Sequence, residues 1–492
     1  MAKIDLGTVP SDDDFAKDPQ VWDLVIVGAG VAGASLAYSQ GKDGRRVLLL
    51  EKDLRQPDRI VGELLQPGGY LALKKLGLEE AVQGIDAQKV YGYALFKDGQ
   101  DCVIKYPTEG MSEDVAGRSF HHGRFVQRLR QKAQEQPSVT IRQGTARNLL
   151  DESGNRWEEE GTVTGVSYKD SEGVERSCRA HLTIVCDGMY SSFRKKFIQP
   201  EIHHPSHFVG LKIRGGTLPH PNHGHVVLAK PSPILVYPIS SDVSRVLVDV
   251  PGEKLPSKVN GGLEQYLRTS VAPELPECLR DGFLEAVESG EIRSVQNKQM
   301  AAKPLHQPGA LLLGDAYNMR HPLTGGGMTV ALSDCFVLSQ MLEPFSDFSN
   351  AESLAKCSRE FHDLRKPLSG TINTLANALY SVFQSGDDAH EEMRQACFEY
   401  LGMGGIYSQG PMSLLSGLNP KPLLLIMHFF MVAIYGATSF SWKCVWERLT
   451  SPKQLWLRVR LLADATGIIL PIVRDEGFNM FFPKGGETTT VA

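Results

Sequence analysis

The chain has 492 residues, 52 basic and 57 acidic side chains, a net charge of −5 and 42% hydrophobic residues. That length suits two or three domains with a sizeable core, and the slight acidic balance leaves no basic footprint for nucleic acid. Eight cysteines without a Cys-x-x-Cys pair predict neither a disulfide framework nor a zinc site, and no metal is expected.

Residues 1–20 are polar, with Asp12, Asp13 and Asp14, and contain no apolar run of the signal-peptide kind. Asp23 to Val27 is a short β-branched run, the pattern of a strand buried on both faces. Gly28-Ala29-Gly30-Val31-Ala32-Gly33 follows it directly and opens a helix. The first glycine permits a tight turn, the second lets a pyrophosphate approach the backbone, and the third lets helix and strand pack closely. Unpaired N–H groups of the helix start then face the phosphates. Val47 to Glu51 is a second buried run, and Glu51 stands where an acid accepts ribose hydroxyls. This fingerprint alone does not separate FAD from NAD.

Strand-like runs recur at Tyr91–Phe96 and Val163–Lys169, and Leu182 to Cys186 is another buried strand. Asp187-Gly188 comes next, with Ser191, Ser192 and Arg194 behind it. Residues 207–250 read as antiparallel, with runs at His225–Leu228, Ile234–Tyr237 and Ser244–Val250. Ala310 to Gly314 returns to the buried pattern and ends in Asp315, placed to bond a ribityl hydroxyl. The turn Gly325-Gly326-Gly327-Met328 starts a helix whose N–H groups suit the acceptor edge of a flavin. Residues 325–400 read as helical.

The stretch from Leu423 to Phe440 is uncharged and lies between Lys421 and Lys443; it is just long enough for a membrane span. Residues 455–473 are apolar but carry Arg458, Arg460 and Asp464, as an interfacial helix would. The alternative is a pair of buried core helices. No second dinucleotide fingerprint is present, so electrons arrive either by transient NAD(P)H docking or from a separate reductase.

In kind and in chain order, the three glycine and aspartate motifs resemble those of the para-hydroxybenzoate hydroxylase-like flavoproteins. Arg124, after Gly123, matches the arginine that reaches FAD in those proteins. Longer strings resemble squalene epoxidase, in its fungal form: Asp58-Arg-Ile-Val-Gly-Glu-Leu-Leu-Gln-Pro-Gly-Gly69, Phe120-His-His-Gly-Arg-Phe125 and the whole of Gly314–Met328. Pro231-Ser-Pro233, Ala396-Cys-Phe398 and His428-Phe-Phe430 add to them.

The resemblance implies an α/β fold with three parts. A discontinuous FAD-binding Rossmann-like domain (21–90, 115–200, 300–345) carries an inserted antiparallel-sheet substrate domain (91–114, 201–299). A helical membrane-associated region (346–492) follows. The resemblance further implies FAD, O2 and electrons from NADPH–cytochrome P450 reductase, and epoxidation of squalene to (S)-2,3-oxidosqualene through a C4a-hydroperoxyflavin, a step of sterol (ergosterol) biosynthesis. Allylamine-type inhibitors, membrane lipid and a location on the endoplasmic reticulum membrane, also on lipid droplets, with a cytosolic catalytic domain, come with it.

Such chemistry asks for a dry, shaped site and a well-held alkene more than for an acid or base. The expected cofactor residues are Gly28, Gly30, Val31, Ala32, Gly33, Glu51, Lys52, Arg59, Leu64, Arg124, Asp187, Gly188, Asp315, Gly325, Gly326, Gly327 and Met328. By family resemblance, Tyr93 and Gln66 form a polar pair at the flavin end of the substrate pocket. Leu235 and Tyr237 share a strand face, Leu228 sits on the preceding strand, and Pro322 and Leu323 form a roof. Phe383, Phe398 and His428 match a deep channel. An aromatic hydroxylase of the same fold would need polar groups for a phenol and no membrane segment. A non-redox lipid escort would have lost Asp315 and Gly325–Gly327.

Overall fold

The computed structural model describes residues 21–481 apart from 113, 216, 385 and 439–451; the polar lead 1–20 and Phe440 lie outside the described residues. Sixteen strands are described. In the first half of the chain they are β1 (Trp22–Val27), β2 (Val47–Glu51), β3 (Leu64–Leu65), β4 (Gln88–Val90), β5 (Gly92–Lys97), β6 (Gln100–Lys105), β7 (Gly117–Ser119), β8 (Val139–Leu150), β9 (Gly165–Asp170) and β10 (Glu175–Val185). Then come β11 (His203–Arg214), β12 (Gly224–Val227), β13 (Ile234–Pro238), β14 (Val243–Pro251), β15 (Arg293–Gln299) and β16 (Ala310–Leu312).

The first sheet runs parallel in the order β8, β2, β1, β10, β16, and β9 bridges β8 and β10 antiparallel. β1 and β2 are fully buried along Leu24–Val27 and Val47–Leu50, which is why they read as unbroken apolar runs. The helix Val31–Lys42 lies against them because Gly33 has no side chain; a Cβ there would collide with the Gly28 carbonyl. β1, β10 and β16 run in register and end side by side. Their carboxyl ends bring Gly28, Asp187 and Asp315 together, the usual place for a ligand in an open α/β sheet.

A seven-stranded second sheet has the order β15, β11, β14, β13, β12, β5, β6. All its pairings are antiparallel except β12 with β5, where Gly224 faces Tyr93. One face packs on the helix Glu277–Glu288. The other buries Leu95, Ile104, Leu235 and Tyr237 against C-terminal helices through Phe383 and Phe398. Each such large apolar side chain contributes roughly 1.5–3 kcal/mol when fully buried.

The C-terminal region is a stack of helices: Ala351–Phe383, Asp388–Gly402, Ile406–Leu415, Pro422–Thr438 and Pro452–Glu476. The expected membrane span, Leu423 to Phe440, is described only as far as Thr438. No helix among the described residues is long and apolar enough to cross a membrane. The helix Pro422–Thr438 instead buries Leu425, His428, Ala433, Gly436 and Ala437 against its neighbours, and Gly436 lies tight on Ala396. Leu423, Met427, Met431 and Ile434 form its exposed face.

Candidate active site

A cavity of about 900 Å³ opens at the carboxyl ends of β1, β10 and β16. Its wall contains Gly28, Gly30, Val31 and Ala32 from the first turn, with Glu51 at the end of β2 and Lys52, Arg59 and Leu64 after it. Asp187 and Gly188 border it after β10, and Asp315, Gly325, Gly327 and Met328 after β16. Gly28 sits at φ +102°, and a Cβ there would come within 2.5 Å of the Cys186 carbonyl oxygen; a Cβ on Gly30 would meet nothing within 4 Å. The turn is therefore packed on its inner side and open toward the cavity.

Two expected glycines do not reach the cavity. Gly33 holds helix to strand, and a Cβ on Gly326 would strike Ile372. Arg124 also falls outside the wall; its guanidinium donates to the Ile85 carbonyl over 3.2 Å. Arg130, six positions along the same helix (His122–Gln134), lines the cavity instead. Its Nε donates to the Ala29 carbonyl at 2.8 Å, and Nη2 lies 3.5 Å from Glu51 Oε2. Glu51 accepts from the Ala29 N–H at 2.8 Å and from the Asp53 N–H at 3.1 Å, so its carboxylate braces the glycine turn.

Asp187 accepts from the Ser192 N–H at 3.0 Å. Its Oδ1 is buried with no partner among the described residues, and burial raises its pKa. Arg194 ties the two aspartate loops together, donating to the Ala316 carbonyl at 2.8 Å, the Asp315 carbonyl at 2.7 Å and the Gly188 carbonyl at 3.1 Å. The open glycine turn, the carboxylate at the end of β2 and the unpartnered Asp187 oxygen fit a dinucleotide with hydroxyl donors.

A second, narrower cavity has walls almost wholly of carbon, including Leu95, Ile104, Leu375, Phe383, Met412, Leu425 and Phe429. His428 lines it too; its Nδ1 is 2.8 Å from the Tyr400 hydroxyl. Tyr93 and Leu323 border both cavities and so mark their junction. Leu235, Tyr237 and Pro322 face the larger one. Leu228 and Phe398 are buried in the surrounding core and line neither.

At the junction, Gln66 is fully buried. Its Nε2 donates to the Tyr93 hydroxyl at 2.7 Å and to the Thr324 carbonyl at 2.6 Å, and its Oε1 accepts from the Tyr106 hydroxyl at 2.6 Å. Burial pushes the Tyr93 phenol up to about 12, so it stays protonated at neutral pH. Tyr106 escaped sequence reasoning because only the β5–β6 pairing brings it beside Tyr93. Glu63, inside one of the quoted strings but given no role, lines the larger cavity and is clamped by Arg245 at 2.7 and 2.9 Å.

The architecture is that of flavin-dependent monooxygenases and halogenases. It matches p-nitrophenol 4-monooxygenase PnpA from Pseudomonas putida (TM-score 0.65, 18% identity, 83% of this chain and 97% of that one). It also matches the flavin-dependent brominase Bmp2 (TM-score 0.63, 16% identity, 85% and 99%). At these identities the likeness is one of fold. Sequence relationship goes further. The family model for squalene epoxidase matches residues 179–456. Squalene epoxidase 3 of Arabidopsis thaliana is 56% identical over 464 residues, 94% of this chain and 86% of the relative. Squalene monooxygenase SE1 of Panax ginseng is 55% identical over 463 residues, 94% and 84%. With these matches on top of the shared motifs, the chain belongs to the squalene epoxidase family. Both of these relatives are plant proteins and lend no support to the expected fungal affinity.

Proposed function

We propose that the protein binds FAD in the larger cavity and epoxidises squalene, held in the carbon-walled cavity, with O2 and electrons delivered by a separate reductase. The observation that carries this is the junction: an apolar cavity adjoins the dinucleotide cavity, with Tyr93 and Leu323 in the walls of both. Bound FAD supplies the activation of O2 that no side chain can provide.

The chain's own residues bind, orient and exclude water. Backbone N–H groups of the Gly28–Gly30 turn and the following helix start hold the pyrophosphate. Glu51 accepts the ribose hydroxyls of the adenosine, and Asp187 and Asp315 offer acceptors to the remaining hydroxyls. Tyr93, fixed by Gln66, and Leu323 stop one end of the hydrocarbon at the junction. The aliphatic wall keeps the reaction dry, and electrons of the alkene do the rest without an acid or base from the protein. The single dinucleotide fingerprint supports an external donor, an NADPH–cytochrome P450 reductase.

The exposed apolar side chains Leu423, Met427, Met431 and Ile434, with Val459, Leu462 and Leu470 on the next helix, support contact with membrane lipid. The family resemblance, rather than this surface, points to the endoplasmic reticulum membrane or a lipid droplet, with the catalytic part in the cytosol. Allylamine-type inhibitors would fill the carbon-walled cavity. Purified protein given FAD, reductase, NADPH and squalene should consume squalene and form one oxygenated product. A protein that takes up no flavin, or takes it up and leaves squalene unchanged, would defeat the proposal.

A further inference from the structure

One buried cation in the cavity wall has no part in the functions described so far. Arg320 is 7% exposed and lines the larger cavity beside Asp315, Pro322 and Gly327. Its Nη2 donates to the Asn318 carbonyl and to Asn318 Oδ1, both at 2.9 Å, and its Nη1 to the Gly327 carbonyl at 3.3 Å. Nε has no partner among the described residues. The acceptors Arg320 reaches are all neutral. Its buried neighbours differ: Arg365 is paired with Asp334 at 2.7 Å, and Lys366 with Glu476 at 3.0 Å.

The guanidinium is also held in place. Asn318 Oδ1 accepts in addition from Arg365 Nη2 at 3.1 Å and Asn373 Nδ2 at 3.0 Å, while its Nδ2 donates to the Met300 carbonyl at 2.8 Å. A fixed cation in the wall of a cavity, with no carboxylate in hydrogen-bond or ion-pair contact and with Asp315, Asp334 and Glu476 acting on it only at longer range, suits an anion that arrives or develops there. FAD brings two: its pyrophosphate, and the negative charge its ring carries after taking up two electrons and one proton. The Gly28–Gly30 turn already serves the first. Arg320 stands elsewhere, against the turn that opens the helix Gly327–Leu342.

We propose that Arg320 is the counter-ion of the reduced flavin ring. This rests on FAD occupying the larger cavity. The test uses the FAD-loaded protein, wild type and with Arg320→Gln or Arg320→Lys. Affinity for oxidised FAD is read by flavin fluorescence and the two-electron midpoint potential by titration against a reference dye. Arg320→Gln should bind oxidised FAD within about threefold of wild type. It should hold reduced FAD about tenfold less well, which lowers the midpoint by about 30 mV. Arg320→Lys should recover most of that shift. The wild-type midpoint should fall by about 30 mV per pH unit near neutrality, the slope of one proton per two electrons, a reading that needs no variant. An unchanged midpoint in loaded Arg320→Gln, or a two-proton slope in wild type, would overturn the proposal. Loss of oxidised-FAD affinity at constant midpoint would assign Arg320 to the phosphates and also overturn it. Wild type that takes up no FAD would instead bring down the reading on which it rests.

Discussion

Gln66 donates from Nε2 to the Tyr93 hydroxyl over 2.7 Å at the one place where the cofactor cavity and the carbon-walled cavity share a wall. The same amide nitrogen holds the Thr324 carbonyl at 2.6 Å, so the pair is fastened to the glycine-rich turn that follows. Tyr93→Phe removes only a hydroxyl. It deletes one oriented hydrogen bond in a dry site, which costs on the order of 1 kcal/mol, or roughly fivefold in rate if it acts on the reacting geometry. FAD affinity should stay at the wild-type value, while turnover falls and hydrogen peroxide released per NADPH rises. Unchanged turnover and coupling would make Tyr93 a structural tyrosine.

Glu51 bonds the Ala29 and Asp53 N–H groups and lies beside Arg130. Glu51→Ala removes the acceptor expected to hold the ribose and unties the glycine turn as well. Loss of a hydrogen bond to a charged group costs about 1.5–3 kcal/mol, roughly a tenfold to hundredfold loss of FAD affinity. Full flavin retention through dialysis would contradict the assignment.

The two arginines of the helix His122–Gln134 separate cleanly. Arg130 is 2% exposed and braces the Ala29 carbonyl, whereas Arg124 bonds Ile85 away from the cavity. Arg130→Ala should weaken FAD binding by about tenfold or more, and Arg124→Ala should leave it unaltered. Equal losses from both in a flavin titration would contradict this geometry.

That arginine shows where sequence reading stops. Gly28, Asp187 and Asp315 were legible because each motif sits at the end of a buried strand and acts through its own few residues. Which arginine of a helix reaches a cavity depends on how the helix lies on the sheet, and Arg124 and Arg130 look alike along the chain. Tyr106 was hidden for a similar reason, since a strand pairing creates its contact. The stretch from Leu423 to Thr438 could not be placed from hydropathy alone. Hydropathy measures how apolar a segment is, and the wall of a hydrocarbon cavity is as apolar as a bilayer. Leu425, Phe429 and Val432 face that cavity.

Gly410 packs so close to His428 that any Cβ there would collide with the imidazole Nε2. Gly410→Ala must displace the His428 ring or the helix Ile406–Leu415, both of which line the carbon-walled cavity. Overpacking of this kind costs about 1–3 kcal/mol. The expected result is a raised KM for squalene and altered inhibitor affinity, with FAD binding intact. Wild-type kinetics in this variant would show that His428 does not shape the substrate space.

His122 and His225 both line the cofactor cavity, and burial lowers each to about 4. The unfolded chain takes up protons at these groups near pH 6.5 while the folded chain does not, so stability falls as pH drops from about 6.5 to about 4. The slope is up to roughly 1.4 kcal/mol per pH unit for each group. Urea midpoints measured from pH 7 to pH 4.5 should decline over that window, and His122→Gln should flatten part of the decline. A midpoint that held constant across it would mean that these rings are not buried neutral.

The most direct measurement is isotopic. Protein loaded with FAD is given squalene, reductase, NADPH and 18O2, and the product is analysed by mass spectrometry. The account predicts a squalene epoxide carrying a single 18O atom, formed only when reductase is present. Oxygen drawn from water, or no oxygenated squalene at all from a flavin-loaded protein, would contradict it.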